Sequence, residues 1–248
     1  MALREDFERF GNWLFRWRSY LPLLLSGLFL LALLKRVEVR VENVAAEFIW
    51  EMCCLAVSLF GLGVRMHAAA CAPRGSSGRN VKEQRATALN TTGLYSVTRN
   101  PLYLGNFFIW VGAALFVESW WLAAVTALIF WLYYEKIMFA EEEFLREKFG
   151  TAFLEWARET PVFFPRDLSR WRPPDLSFEI KNALRREYSG FFAIISVFSS
   201  LKLLKDSLAR GAFVVDPVWL FLFSAGLAVY AGLLWVKKKT HWLDVAGR

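Results

Sequence analysis

The chain has 248 residues, 56% of them apolar and 17% aromatic, and carries a formal charge of +7 from 30 Lys and Arg against 23 Asp and Glu. That length suits one compact unit and excludes two large soluble domains; the apolar and aromatic shares exceed those of a soluble globular domain. The charges sit in blocks between apolar runs, as in a membrane protein, so the positive excess is assigned to anionic lipid head groups and not to nucleic acid. Cys53, Cys54 and Cys71 lack a CxxC spacing and the histidines are only His67 and His241, so neither a disulfide framework nor a metal site is expected.

Taken in order, residues 1–18 mix Arg4, Arg9, Arg16 and Arg18 with Glu5, Asp6 and Glu8, and no cleavable signal peptide is expected there. The interleaved Phe7, Phe10, Trp13, Leu14 and Trp17 suit an amphipathic helix in the membrane interface, or a solvated helical start. A helical span needs about 20 mostly apolar residues. Six segments qualify, near 20–36, 48–64, 101–117, 120–139, 190–208 and 217–236. Lys202 and Lys205 interrupt the fifth, and their cost at the bilayer centre predicts that they snorkel to the nearer surface. Glu51, near the outer end of the second span, is the only acidic residue that counts even loosely as an intramembrane charge.

Six spans put both termini on one side. That side receives 24 of the Lys and Arg residues and the other receives 6, so the positive-inside rule makes the termini cytosolic. The expected fold is all-α: a polytopic helical bundle with cytosolic amphipathic helices, in a bacterial inner membrane or, in a eukaryote, the endoplasmic reticulum. Spans three and four form a hairpin joined by Glu118 and Ser119, so both of their other ends emerge into the cytosol together. Residues 1–87 supply the interfacial helix and two spans, 88–166 the hairpin with its flanking motifs, and 167–248 a linker and two spans.

The chemistry gathers at those hairpin ends. Asn100 and Pro101 suit the N-cap and first position of a helix, and the same helix start can bind an anion with its free N–H groups. Arg99 adds a fixed charge beside it, with Tyr103 a turn further on. Gly105 and Gly112 clear one stripe, for close helix packing or for a ligand. The fourth span runs on through Glu135, Glu141 and Glu142 to Gly150, a natural C-terminal cap, and this acidic run is either a solvated face or the far wall of a site. Residues 151–160 then read as a short amphipathic helix stopped by Pro161, with Ala152, Phe153, Trp156 and Ala157 inward. A site with an anion-binding helix start on one wall and carboxylates on the other suits a zwitterion such as the amino-acid end of S-adenosyl-L-methionine, whose sulfonium aromatic rings can face.

Leu89-Asn90-Thr91-Thr92-Gly93-Leu94-Tyr95, then Arg99-Asn100-Pro101, Tyr103 and Gly105, then Glu141-Glu142, Phe149-Gly150 and Pro161 with Pro165, resemble the isoprenylcysteine carboxyl methyltransferase and phospholipid methyltransferase superfamily. The resemblance covers residues 65–166. It implies a membrane methyltransferase that binds S-adenosyl-L-methionine at Tyr95, Arg99, Asn100, Tyr103, Leu104, Gly105, Glu141 and Glu142, with a lipid acceptor entering from the bilayer. The sequence departs from the family where Asn100 replaces a frequent His, and where Phe153 and Trp156 replace Tyr. Glu142, Arg185 and Arg186 are the candidates for the reacting end. The two arginines are either a positive-inside anchor or a clamp for an anionic head group, and with few bases available an oxygen acceptor is preferred to an amine. Two other readings stay open: an NADPH-dependent membrane reductase, which the flexible-looking 75–79 segment does little to support as a nucleotide loop, and a non-enzymatic membrane partner or transporter.

Overall fold

The structure, a computed structural model, describes residues 3–18, 20–36, 44–73 and 86–245; the 75–79 segment lies outside them. Eight α-helices are described: α1 (Leu3–Trp17), α2 (Ser26–Arg36), α3 (Val44–Ala70), α4 (Pro101–Phe116), α5 (Trp120–Phe149), α6 (Thr151–Glu159), α7 (Ile180–Arg210) and α8 (Pro217–Lys239). The fold is an all-α membrane bundle in which α3, α5 and α8 are long and apolar enough to cross a bilayer by length and composition. α4 and α2 are shorter apolar helices, and a five-residue 3-10 turn, Leu21–Leu25, precedes α2.

The helices terminate where the local chemistry dictates. Gly150, at φ +55°, ends α5 and donates its N–H to the Arg146 carbonyl, a backbone conformation that glycine adopts without a Cβ penalty. Asp216 caps α8, its carboxylate accepting from the N–H groups of Val218 and Trp219. α3 is the central element, packed on α4 and α7. The α3/α4 contact is close because Gly61, Gly105 and Gly112 leave no side chain between the helices: a Cβ on Gly105 would lie 2.5 Å from both Arg65 Cγ and the Gly61 carbonyl, and one on Gly112 would lie 2.3 Å from Ser58 Oγ. Of the two uses considered for this stripe, helix packing is the one realised.

α1 is not a solvated start, since Gly11, Leu14 and Phe15 are buried. It docks along the C-terminal half of α5, where Gly11 meets the Lys136 carbonyl, Arg4 pairs with Glu143 and the Tyr133 hydroxyl donates to Leu14 O. Leu14 and Phe15 are buried there, while Phe10, Trp13 and Trp17 remain exposed.

A second departure concerns Lys202 and Lys205, which do not snorkel. They point into the bundle and meet four carboxylates from α3, α7 and the α4–α5 turn. Lys202 Nζ lies 2.9 Å from Glu51, 3.3 Å from Glu47 and 3.3 Å from Asp206. Lys205 Nζ lies 2.7 Å from Glu47, 2.8 Å from Glu118 and 3.4 Å from Glu51. Trp219 of α8 donates its indole N–H to Glu51 at 2.9 Å. Turned towards lipid these charges would be unpaired; turned inward, each finds a partner. The network explains how α7 lies among apolar helices although it fails the composition test that α3, α5 and α8 pass.

The network and the motif residues occupy opposite ends of the bundle. The orientation inferred from charge is tested by labelling single cysteines in a background without Cys53, Cys54 and Cys71. Ser169→Cys, in the exposed segment between α6 and α7, is expected to react only with reagent on the cytosolic side, and Ser119→Cys, in the α4–α5 turn, only from outside. The reverse pattern would invert the bundle.

Candidate active site

The motif residues converge at the end of the bundle where α3 and α5 finish and α4 and α7 begin. Two chain segments are laced together to make it. In the first, Thr98 Oγ1 donates to Phe163 O at 2.6 Å, the Arg99 N–H donates to Pro161 O at 2.9 Å, and Asn100 Nδ2 donates to Val162 O at 3.0 Å. Further along, the Gly93 N–H donates to Arg172 O and the Arg172 N–H to Ser96 Oγ. Pro161 thus does more than stop α6, since the segment behind it becomes the wall against which the Arg99-Asn100 turn is fixed. Trp156 adds an indole bond to Tyr95 O at 3.0 Å, a donor that a tyrosine at that position would supply differently.

Asn100 holds the N-cap position of α4, but its side chain makes no cap. The carbonyl of Val162 captures it instead. α4 therefore starts without a side-chain acceptor over its first turn, which is the condition for binding an anion there.

Arg99 and Glu142 meet directly, Nη1 to Oε2 at 3.1 Å, with 14% and 21% of their side chains exposed. Both are left incompletely satisfied: Arg99 Nε and Glu142 Oε1 are buried without a hydrogen-bond partner. Such orphaned atoms are rare in folded proteins and mark a place where another group belongs. Burial raises the Glu142 carboxyl, opposed by Arg99 and Asn100. One residue earlier, burial pushes Glu141 up to about 7, against the pull of Arg18, just past α1, and of the Tyr103 hydroxyl that bonds it. With 28% of the Glu141 side chain exposed, solvent screens part of that effect. Tyr95 is raised by burial and then by Glu141, with Arg186 acting in the opposite sense. Tyr95, Arg99, Tyr103, Glu141 and Glu142 therefore form one cluster. An open cleft of about 430 Å³ adjoins it, lined by Ser96, Val97, Arg99 and residues of the 157–170 segment, including Arg158, Arg166 and Arg170.

Other expected site residues lie elsewhere. Leu104 is buried in the apolar cluster with Leu14, Phe130 and Met138, and Gly105 faces α3 as described. Glu135 is exposed, so the acidic run is a solvated face at that point and a site wall only from Glu141 onward. Arg185 and Arg186 diverge: Arg185 pairs with Asp244 of the C-terminal tail at 3.0 Å, whereas Arg186 reaches the α3 terminus and donates to Ala69 O at 3.3 Å. Thr98, Asn106 and Trp156 were not recognised as site supports from sequence. Their bonds run to partners 28 to 65 positions away, which no local pattern signals.

Residues 52–152, about two-fifths of the chain, match the phospholipid methyltransferase family. This segment is similar to the phospholipid methyltransferase family, and relatives that include isoprenylcysteine carboxyl methyltransferases are consistent with that superfamily. Among its relatives, a nickel-cobalt-cadmium resistance protein of Alcaligenes xylosoxydans xylosoxydans is 34% identical over 140 residues, 55% of this chain and 65% of that protein. A cobalt-zinc-cadmium resistance protein of Cupriavidus metallidurans is 40% identical over 92 residues, 37% of this chain and 42% of that protein. A protein-S-isoprenylcysteine O-methyltransferase of Schizosaccharomyces pombe is 25% identical over 114 residues, 44% of this chain and 48% of that protein. The chain thus spans 42% to 65% of the length of these relatives. No solved structure matches it.

Proposed function

We propose that the protein transfers a methyl group from S-adenosyl-L-methionine to a lipid or lipidated acceptor at the cytosolic membrane face. The favoured acceptor is a phosphate or carboxylate oxygen of a head group; a prenylcysteine carboxylate has the same chemistry. The observation that carries this reading is the Arg99–Glu142 pair, buried at an uncapped helix start with one unsatisfied polar atom on each partner. A zwitterion fits such a pair: its carboxylate takes Arg99 and the first N–H groups of α4, and its ammonium takes Glu142 and Glu141. S-adenosyl-L-methionine supplies, when bound, a sulfonium methyl open to in-line displacement. The chain supplies position and field. Tyr95 and Tyr103 offer ring faces to a cation, and Arg186 orients an anionic acceptor without having to remove a proton.

Calorimetry of the purified protein with S-adenosylhomocysteine and with NADPH tests this. Binding of the first alone is expected, and binding of NADPH alone would favour a reductase. Affinity should also rise with pH through about 7 and level off above it, because Glu141 is neutral below that value and attracts the ligand ammonium only once ionised. Glu141→Gln should flatten the profile. Mass spectrometry of lipids from overexpressing and deleted cells then identifies the acceptor by the gain of one methyl group.

A further inference from the structure

Beneath the proposed cofactor site lies a buried ionic bridge that the proposed chemistry does not use. Arg65 of α3 grips Glu187 of α7 through two nitrogens, Nε to Oε2 at 3.1 Å and Nη2 to Oε1 at 2.8 Å, and the Glu187 side chain is 5% exposed. The third guanidinium nitrogen, Nη1, donates to Asn106 Oδ1 at 2.6 Å, and Asn106 Nδ2 donates to the Tyr134 hydroxyl at 3.0 Å. The Tyr134 ring lies 4.7 Å from that of Tyr103, whose hydroxyl bonds Glu141. The bridge therefore ties α7 to the cofactor side of the site through α3, α4 and α5.

Two glycines make room for it. A Cβ on Gly105 would lie 2.5 Å from Arg65 Cγ, and one on Gly190 would lie 3.0 Å from Glu187 Oε2. The motif glycine thus serves the arginine that crosses beside it. Glu187 is also the immediate neighbour of Arg186. A bidentate grip on Glu187 fixes the rotation of the first turns of α7, and with it the direction of the Arg186 side chain towards the α3 terminus, where it and Asn182 both donate to Ala69 O at 3.3 Å.

We propose that Arg65 and Glu187 are positioning residues for the acceptor, setting α7 so that Arg186 meets the anionic head group. The proposal rests on the methyl-transfer reading above. Neither residue touches the cofactor in this scheme, so cofactor binding and acceptor recognition should separate.

The test uses the full chain in nanodiscs, methyl-labelled S-adenosyl-L-methionine, and total lipid extract of the expressing cells as titrated acceptor, with label counted in the organic phase. Removing both charges together, Arg65→Met with Glu187→Met, avoids leaving one buried and unpaired. That variant is expected to melt close to wild type and to bind S-adenosylhomocysteine within about threefold of it. Its apparent KM for lipid should rise about tenfold with kcat little changed. Glu187→Gln, which keeps the shape, should show a smaller shift of the same kind. Arg186→Ala should raise KM in the wild type and add nothing in the Met/Met background, since its geometry is already lost there. An unchanged KM, an additive Arg186→Ala, or failure of both bridge variants to fold would overturn the proposal and leave the bridge a purely structural one. A wild type that binds no S-adenosylhomocysteine would instead remove the methyl-transfer reading, and this inference with it.

Discussion

Arg99→Ala and Glu142→Ala are each expected to reduce S-adenosylhomocysteine affinity by about 2–5 kcal/mol while leaving the protein folded. The size follows from what each truncation leaves behind. Arg99 and Glu142 are ion-paired at 3.1 Å with 14% and 21% of their side chains exposed, so loss of either strands the other in a poorly hydrated place. The variant is penalised again when the ligand arrives, because one end of the zwitterion then has no counter-charge. Folding should survive because the turn carrying Arg99 is held by backbone and neighbouring side chains, through Arg99 N–H to Pro161 O, Thr98 to Phe163 O and Asn100 to Val162 O, none of which needs the guanidinium. The double variant should bind no worse than the weaker single one, since the two side chains act as a unit. Calorimetry together with thermal melting checks both halves. Unchanged affinity in both single variants would reduce the constellation to a helix start beside a solvated acidic face.

The largest stability effect is expected at the opposite end of the bundle. Replacing Lys202 and Lys205 together by Met leaves Glu47, Glu51, Glu118 and Asp206 facing one another without these two cations. Glu51 is only 1% exposed and, among the described residues, retains the Trp219 indole as a donor. Breaking a buried ionic arrangement from one side costs about 3–5 kcal/mol, and four carboxylates losing two shared cations belong at or above the upper end of that range. The single variants should be much milder, because the lysines share partners: Glu51 and Glu47 each contact both ammonium groups. The signature is therefore strong non-additivity, with the double variant far exceeding the sum of the singles. Neutralising Glu51 in the double-Met background, Glu51→Gln, should recover part of the loss. Denaturant unfolding in detergent measures all of these. Additive, sub-kilocalorie effects would mean that the lysines reach water and that the network contributes little.

Much of this molecule is legible in its sequence because the relevant properties are local. An apolar run declares a helix whatever its neighbours, and the six expected runs correspond to α2 to α5, α7 and α8, of which α3, α5 and α8 are long and apolar enough to cross a bilayer. The same holds for the ends: Pro101 at the start of α4, Gly150 at the end of α5 and Pro161 after α6 act on their own turns of chain. The hairpin joined by Glu118 and Ser119 brings Arg99 near Glu142, since antiparallel helices lay side by side the residues that lie comparably far from their common turn.

What the sequence could not decide is which partner each polar side chain meets. Asn100 has the right identity and position to cap α4, yet it donates to Val162, because the 161–163 segment presents a carbonyl only after α6 has folded back. Lys202 and Lys205 read as residues seeking the membrane surface, yet they turn inward, because α3 and the α4–α5 turn place carboxylates within 3 Å of them. Gly105 reads equally as ligand space or helix contact until α3 lays Arg65 across it. Sequence by itself determined the helical membrane class, the order of the elements and the gathering of Arg99, Tyr103, Glu141 and Glu142 at one end. Tertiary structure alone decided the α1–α5 docking, the Arg65–Glu187 bridge and the lysine network. Hydropathy and helix caps act within a turn or two of chain, whereas a buried charge is satisfied only by a partner that the packing of other helices delivers.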